Sequence, residues 1–114
     1  MSLAAGLVAY VLLQAAPGSP TVEPARQCAI ALGALRLAAR GAGETEDEAR
    51  WNAAARSYAQ RVVQATPDRR GGDILIELGM AGLERLQDAM AAGSLRSLHQ
   101  EALACEAALA PPPT

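Results

Sequence analysis

The chain has 114 residues and a formal net charge of −2 at pH 7, and its length fits a single domain. Basic and acidic residues are interspersed, so no basic stripe is available to neutralise phosphates, which argues against nucleic-acid binding. Alanine and leucine dominate, and phenylalanine is absent. Because strands favour β-branched and aromatic residues, this composition predicts an all-α protein.

The N-terminal region is an apolar segment that resembles a secretory signal. Its apolar run, Leu3 to Leu13, is shorter than the about 20 residues that cross a bilayer. It does match the apolar region of a signal peptide, and Ala16 and Gly18 suit cleavage before Ser19. The usual positively charged start is missing, so an upstream start, a first core helix of a cytosolic domain, or an uncleaved anchor at the membrane edge are alternatives. We expect a periplasmic or secreted protein without a stable membrane span.

Four helical segments follow, separated by turn-forming residues. The first covers 23–40 and ends at the glycines of 41–43. The second covers 46–65, with Thr45 and Glu48 as a capping box. Asp73 is the predicted cap of a third helix that ends near residue 92, and Ser94 is the predicted cap of the fourth. The domain boundaries are therefore 1–18 for the signal-like segment, 19–110 for the helical domain and 111–114 for a proline-rich tail.

Each predicted helix carries one apolar stripe, and four stripes can close on a common core. The spacing predicts a small four-helix bundle, with short connections that suit an up-down order of the helices. Two glycines lie inside the third helix, where each costs about 1 kcal/mol relative to alanine. We expect close approach of a neighbouring helix at Gly79 and Gly82. The predicted stripe of the third helix is Leu75, Leu78, Gly82, Leu86 and Met90, and that of the fourth is Leu95, Leu98, Ala102, Cys105 and Leu109.

The two cysteines, Cys28 and Cys105, fall on the predicted buried stripes of the first and last helices. An even cysteine count, expected export to an oxidising compartment and placement at opposite ends of the chain predict one disulfide between them. Two free core thiols in a cytosolic protein are the alternative. Two distant cysteines and one histidine lack the spacing of a metal site.

The sequence shows no catalytic constellation. His99, the one histidine, lies off the apolar stripe without an evident nucleophile or orienting acid. The 68–73 turn contains Arg69 and Arg70, which we assign as a candidate partner contact ahead of a helix N-terminus. Trp51 and Tyr58 lie seven residues apart on one helix face. Core packing is their usual role, and an apolar groove for a ligand or partner is the alternative.

These features favour a small exported binding or accessory protein that has no catalytic activity, no cofactor and no bound metal. We expect the partner to be another protein. A carrier of a small apolar ligand between the helices is the second hypothesis, and a cytosolic helical domain is the third. In outline, a small exported helical domain with one disulfide is similar to the periplasmic acid-stress chaperones; the likeness is of architecture, without a shared motif, and implies no function.

The signal-like segment generates a first prediction. We expect the mature protein to begin at or close to Ser19, because Leu3 to Leu13 and the small residues after it match a signal peptide and its cleavage site. Mass spectrometry of the protein isolated from its native host measures this directly. An intact Met1 or Ser2 start in a soluble cytosolic fraction would contradict export.

Overall fold

The computed structural model describes residues 22–109, and within this range all regular structure is helical. The four helices pack against one another as a bundle, which confirms the predicted all-α class. The signal-like segment and the proline-rich tail lie outside the described residues. The helices are α1 (Val22–Gly41), α2 (Thr45–Gln64), α3 (Gly71–Ala92) and α4 (Leu95–Leu109).

The first helix, α1, is the centre of the bundle. It contacts each of the other three helices extensively, whereas those three contact one another sparsely. Its buried positions are mostly alanines, including Ala31 and Ala34, which are fully buried. Small side chains let neighbouring backbones approach closely, so three helices can surround α1 at short distance. The arrangement is therefore a central helix with three packed against it, rather than four equivalent helices around an axis.

The centre of the core is built from one large side chain of each helix. Leu32, Val62, Ile74 and Leu98 come from α1, α2, α3 and α4 in turn, and they are the largest side chains that are fully buried. No charged side chain is buried in residues 22–109, and no buried side-chain nitrogen or oxygen there lacks a hydrogen-bond partner. The four apolar stripes thus meet at a common core, as the spacing predicted.

The helix starts differ from the predicted caps. Thr45 is the first residue of α2, so Glu44 takes the cap position, and its side chain makes no capping hydrogen bond. The capping box is therefore wrong: Gly43, at φ +73°, closes a tight turn in which the Glu44 N–H donates to the Ala39 carbonyl at 2.9 Å. Likewise α3 begins two residues before Asp73, with Arg70 as cap. Asp73 lies instead in the first turn, where its negative charge favours the helix dipole.

The buried stripe of α3 is displaced from the predicted one at both ends. Ile74 is buried where Leu75 was predicted, and Ala89 is buried where Met90 was predicted. A shift of one residue turns a helix by about 100°, so Leu75 and Met90 face solvent. On α4, Leu95 is also exposed, although Leu98, Ala102 and Cys105 are buried as predicted.

The two glycines of α3 have different environments. A Cβ on Gly82 would lie 3.3 Å from the backbone nitrogen of Ala34 and 3.4 Å from the carbonyl carbon of Gly33, so α3 and α1 touch there through their backbones. This confirms the predicted close approach at Gly82. A Cβ on Gly79 would meet no atom of residues 22–109 within 4 Å, so the prediction for Gly79 is wrong. Gly79 instead borders an open depression between α1, α2 and α3.

The contrast between the two glycines gives a matched pair of variants. We expect Gly82→Leu to lower the free energy of unfolding by about 1–3 kcal/mol, because the α1 backbone cannot move aside for the added atoms. Gly79→Ala should instead raise it by up to about 1 kcal/mol, since alanine is the better helix former and has free space. Denaturant unfolding at a fixed, low protein concentration measures both. Equal stability of Gly82→Leu and the unchanged protein would contradict the close α1–α3 contact.

Candidate functional site

The two cysteines lie at disulfide distance, as predicted. The Cys28 and Cys105 sulfur atoms are 2.12 Å apart, and their Cα atoms are 5.6 Å apart. The pair connects the start of α1 to the end of α4 across 77 positions of sequence. It therefore fixes the last turns of the shortest helix to the centre of the bundle.

Tyr58, one of the two predicted groove residues, lies beside this pair. Its ring is buried on α2, and its hydroxyl donates a 2.7 Å hydrogen bond to the Cys105 carbonyl oxygen. A buried phenol needs such a partner. The guanidinium carbon of Arg61 lies 5.0 Å from the centre of the ring. Tyr58 therefore positions α4 against α2.

Trp51, the other predicted groove residue, is also buried, two turns before Tyr58 on α2. The exposed His99 ring packs edge-on against it, with ring centres 5.7 Å apart. The guanidinium carbon of Arg50 lies 4.4 Å from the centre of the Trp51 ring. Trp51 and Tyr58 thus pack in the core, and the depressions that they border are open to solvent and also lined by charged residues.

Arg50 also joins α2 to α4 through an ion pair. Its Nε and a terminal nitrogen donate to the two carboxylate oxygens of Glu106, at 2.7 and 2.5 Å. These hydrogen bonds hold the pKa of Glu106 below its ordinary value. The pairing favours the charged carboxylate in the folded protein, so its stabilising effect is present above the usual glutamate range and is lost as the pH falls through the lowered pKa.

The two arginines predicted to contact a partner have different surroundings. Arg69 donates two hydrogen bonds to the Glu77 carboxylate on α3, at 2.8 and 2.7 Å, and these hold the pKa of Glu77 below its ordinary value. Arg70 is exposed immediately before α3 and makes no ion pair with another residue of 22–109. The turn is thus anchored by Arg69 and presents Arg70 to solvent.

Other chemistry is scarce in the described part of the chain. No group of three histidine, cysteine, aspartate or glutamate residues in 22–109 is placed to hold a metal ion. Within the same range, no helix combines the length and apolar character needed to span a bilayer. A depression of about 510 Å³ lies between the start of α1 and the α2–α3 turn, and it is bordered by Glu23, Arg26 and Asp68.

The most distinctive surface is the solvent-facing side of α3. Its members are spaced by four, three, four and three residues, which is the spacing of a coiled-coil seam. The apolar members are all exposed: Ile76 by 63%, Met80 by 68%, Leu83 by 47% and Met90 by 61%. Gln87 is the one polar member and is also exposed. We call this set the outer stripe: Ile76, Met80, Leu83, Gln87 and Met90.

One edge of the outer stripe borders a depression of about 140 Å³ between α1, α2 and α3. Leu75 and Gly79 line it from α3, next to the outer stripe, and small residues of α1 and α2 form much of the rest. Arg36 and Arg56 also line this depression, and neither makes an ion pair within residues 22–109. We call this side the arginine edge.

The opposite edge of the outer stripe is acidic. At 3.6 residues per turn, the side chains that follow Met80 around the helix are the four carboxylates of α3 together with Ala91. All four are exposed, and Glu77 is paired with Arg69. We call this side the acidic edge: Asp73, Glu77, Glu84 and Asp88.

Sequence reasoning assigned one apolar stripe to α3 and missed the outer stripe. The signal was present, because apolar residues and glycines cover about two thirds of the helix circumference when placed at 3.6 residues per turn. A single packed face needs much less than that. The excess indicates that apolar side chains of α3 remain outside the face that packs in the bundle.

Comparisons with protein-family models, with curated proteins and with solved structures find no match for this chain.

The cysteine pair yields a stability prediction. A bond closing a loop of 77 positions should contribute about 4–5 kcal/mol on the loop-entropy model. We therefore expect a reducing agent to lower the melting temperature of the unchanged protein to that of a Cys28→Ser/Cys105→Ser variant. The double variant is the control, because its melting temperature should not respond to the reducing agent. Two thiols that become labelled on denaturation without reduction would contradict the bond.

Proposed function

We propose that this protein is an exported, non-catalytic helical binding or accessory protein that binds another polypeptide chain through the outer stripe of α3. The observation that carries this proposal is the exposure of four large apolar side chains in one row along a single helix. Monomeric soluble proteins seldom expose contiguous apolar patches without using them for binding. A row at coiled-coil spacing fits another helix, which would bury the row along its length.

The turn before α3 extends this surface. Arg69 is paired with Glu77, the residue next to Ile76 of the outer stripe, and Arg70 directly precedes the first turn of α3. A partner chain that extended beyond the N-terminal end of the outer stripe would reach this turn. The sequence-based assignment of Arg69 and Arg70 to a partner contact is thus compatible with binding along α3.

The alternative of an apolar-ligand carrier has less support. A carrier buries most of its ligand in a concave, mainly apolar pocket. The depression beside Trp51 is bordered by Glu44 and Asp47, and the one beside Tyr58 by Arg61. Such open, charged surroundings do not favour an apolar ligand.

Absence of catalysis is also part of the proposal. His99 is exposed and packs on Trp51, and no nucleophile or orienting acid is hydrogen-bonded to it within residues 22–109. General acid–base chemistry needs such a partner within reach. Export is supported by the cysteine pair at disulfide distance, because disulfides persist in oxidising compartments.

Capture of a tagged chain from the host envelope tests the proposed surface. We expect the unchanged protein to retain a bound polypeptide, identified by mass spectrometry with the untagged chain itself included. Ile76→Ser/Met80→Ser should lose it, because the double variant removes half of the apolar row. The melting curve should change little, since exposed substitutions usually alter stability by less than about 0.5 kcal/mol each.

The control variant makes the same kind of substitution, apolar to serine, on a different helix. Leu95 and Leu103 are exposed on α4, so Leu95→Ser/Leu103→Ser should retain the bound polypeptide. Arg69→Ala/Arg70→Ala measures the contribution of the turn to binding by itself, because it leaves the outer stripe intact. Full retention of the bound chain by Ile76→Ser/Met80→Ser would contradict binding through the outer stripe.

A further inference from the structure

The outer stripe places three requirements on whatever covers it. The occupant must supply an apolar row of coiled-coil spacing, because the members of the outer stripe alternate by four and three residues. Its own charges must be complementary to the acidic edge on one side of the outer stripe and to the arginine edge on the other. It must also provide a partner for the amide of Gln87, since burying an amide without a hydrogen bond is costly. A second copy of α3 meets all three requirements in one orientation.

Orientation decides which edges meet. If two copies of α3 face each other in parallel, a two-fold axis lies between them along their length, and the acidic edge of each copy faces the arginine edge of the other. If they face each other antiparallel, acidic edge meets acidic edge. The four carboxylates of one edge and the unpaired Arg36 and Arg56 of the other therefore favour the parallel pair.

Gln87 and Gly79 also fit the parallel arrangement. Around a parallel two-fold axis, each residue of the seam meets its own equivalent, so the two Gln87 amides can donate to and accept from each other. A single polar pair in an apolar seam is a device that selects register and orientation. Gly79, whose Cβ would meet nothing within 4 Å, flanks the seam where Glu84 of the other copy would lie, and its missing side chain leaves room there.

We infer that the polypeptide bound by the outer stripe is a second copy of this chain, paired through α3 in parallel about a two-fold axis, with the acidic edge of each copy against the arginine edge of the other. This inference rests on the proposed function, because it takes the outer stripe to be a binding surface. Beyond that function, it specifies that the bound polypeptide is a second copy of this chain and that the two α3 helices run parallel. The contact is isologous, so it closes as a dimer.

Sedimentation equilibrium of the protein purified from its native host tests the second copy. We expect twice the mass of one chain in the micromolar range. Leu83→Glu should give single chains at the same concentrations, because it places a charge of each copy at the centre of the seam. Leu103→Glu, the same change at an exposed site on α4, should remain a dimer. Arg36→Glu/Arg56→Glu should weaken the dimer, since both edges then become acidic. Circular dichroism verifies that each variant is folded.

Cysteine cross-linking tests the direction independently. Ile76→Cys and Met90→Cys are prepared as separate variants, and these positions lie 14 residues apart, or about 21 Å along a helix. A parallel pair brings each new cysteine beside its own equivalent, so both variants should form covalent dimers under oxidising conditions. In an antiparallel pair at most one of them could do so, and a mixture of the two would cross-link instead. Gln60→Cys, exposed on α2, is the control that should stay uncross-linked.

The outcomes separate this inference from the proposed function. A monomer at all micromolar concentrations, or a dimer unaffected by Leu83→Glu, overturns the second copy as occupant. Capture of a different protein that Ile76→Ser/Met80→Ser abolishes would overturn it as well, yet would support binding through the outer stripe. If a mixture of the Ile76→Cys and Met90→Cys variants cross-links, but neither variant cross-links by itself, the helices are antiparallel and the parallel arrangement is overturned.

Discussion

The close backbone contact between α1 and α3 is the constraint on which the rest of the structure depends. Gly82 brings α3 against the backbone of α1 at Gly33 and Ala34, and a Cβ at residue 82 would lie only 3.3 Å from the Ala34 nitrogen, tighter than an ordinary van der Waals contact. This contact fixes the distance of α3 from the core and also its rotation about its own axis. The buried row that includes Ile74 and Leu78 follows from that rotation, and so does the row that is left outside.

The same rotation explains where sequence reasoning succeeded and where it failed. The four helices and the cysteine pair were predictable, because glycine and proline mark the boundaries and the cysteines lie at helical spacing on apolar stripes. The buried face of α3 was not, because apolar residues surround most of that helix and several faces satisfy the same periodicity. Packing against the small residues of α1 determines which of these faces is buried. That choice depends on tertiary contacts, so the sequence pattern of α3 alone does not reveal it.

The helix starts show a second kind of limit. Thr45 and Glu48 satisfy a capping-box pattern, and Asp73 is a suitable cap residue, but each lies inside its helix. The exact start is set by the turn that precedes it, where Gly43 adopts a left-handed conformation and the Glu44 N–H reaches back to α1. A pattern read within a helix cannot specify how the previous helix ends. The outer stripe escaped prediction for a related reason, since the sequence reasoning assigned one buried stripe to each helix and left no place for an exposed apolar row.

Two helices of this small bundle are supported in different ways. The shortest helix is held by more than apolar contact: the cysteine pair, the Tyr58 hydrogen bond and the Arg50–Glu106 ion pair all reach the last turns of α4. By contrast, α3 is long and strongly apolar, but only its inner row is covered within residues 22–109. A covalent link and association with another chain are the usual supports of small domains. The proposed pairing through α3 would bury the outer stripe, so one contact would both bind the partner and add to the stability of the bundle.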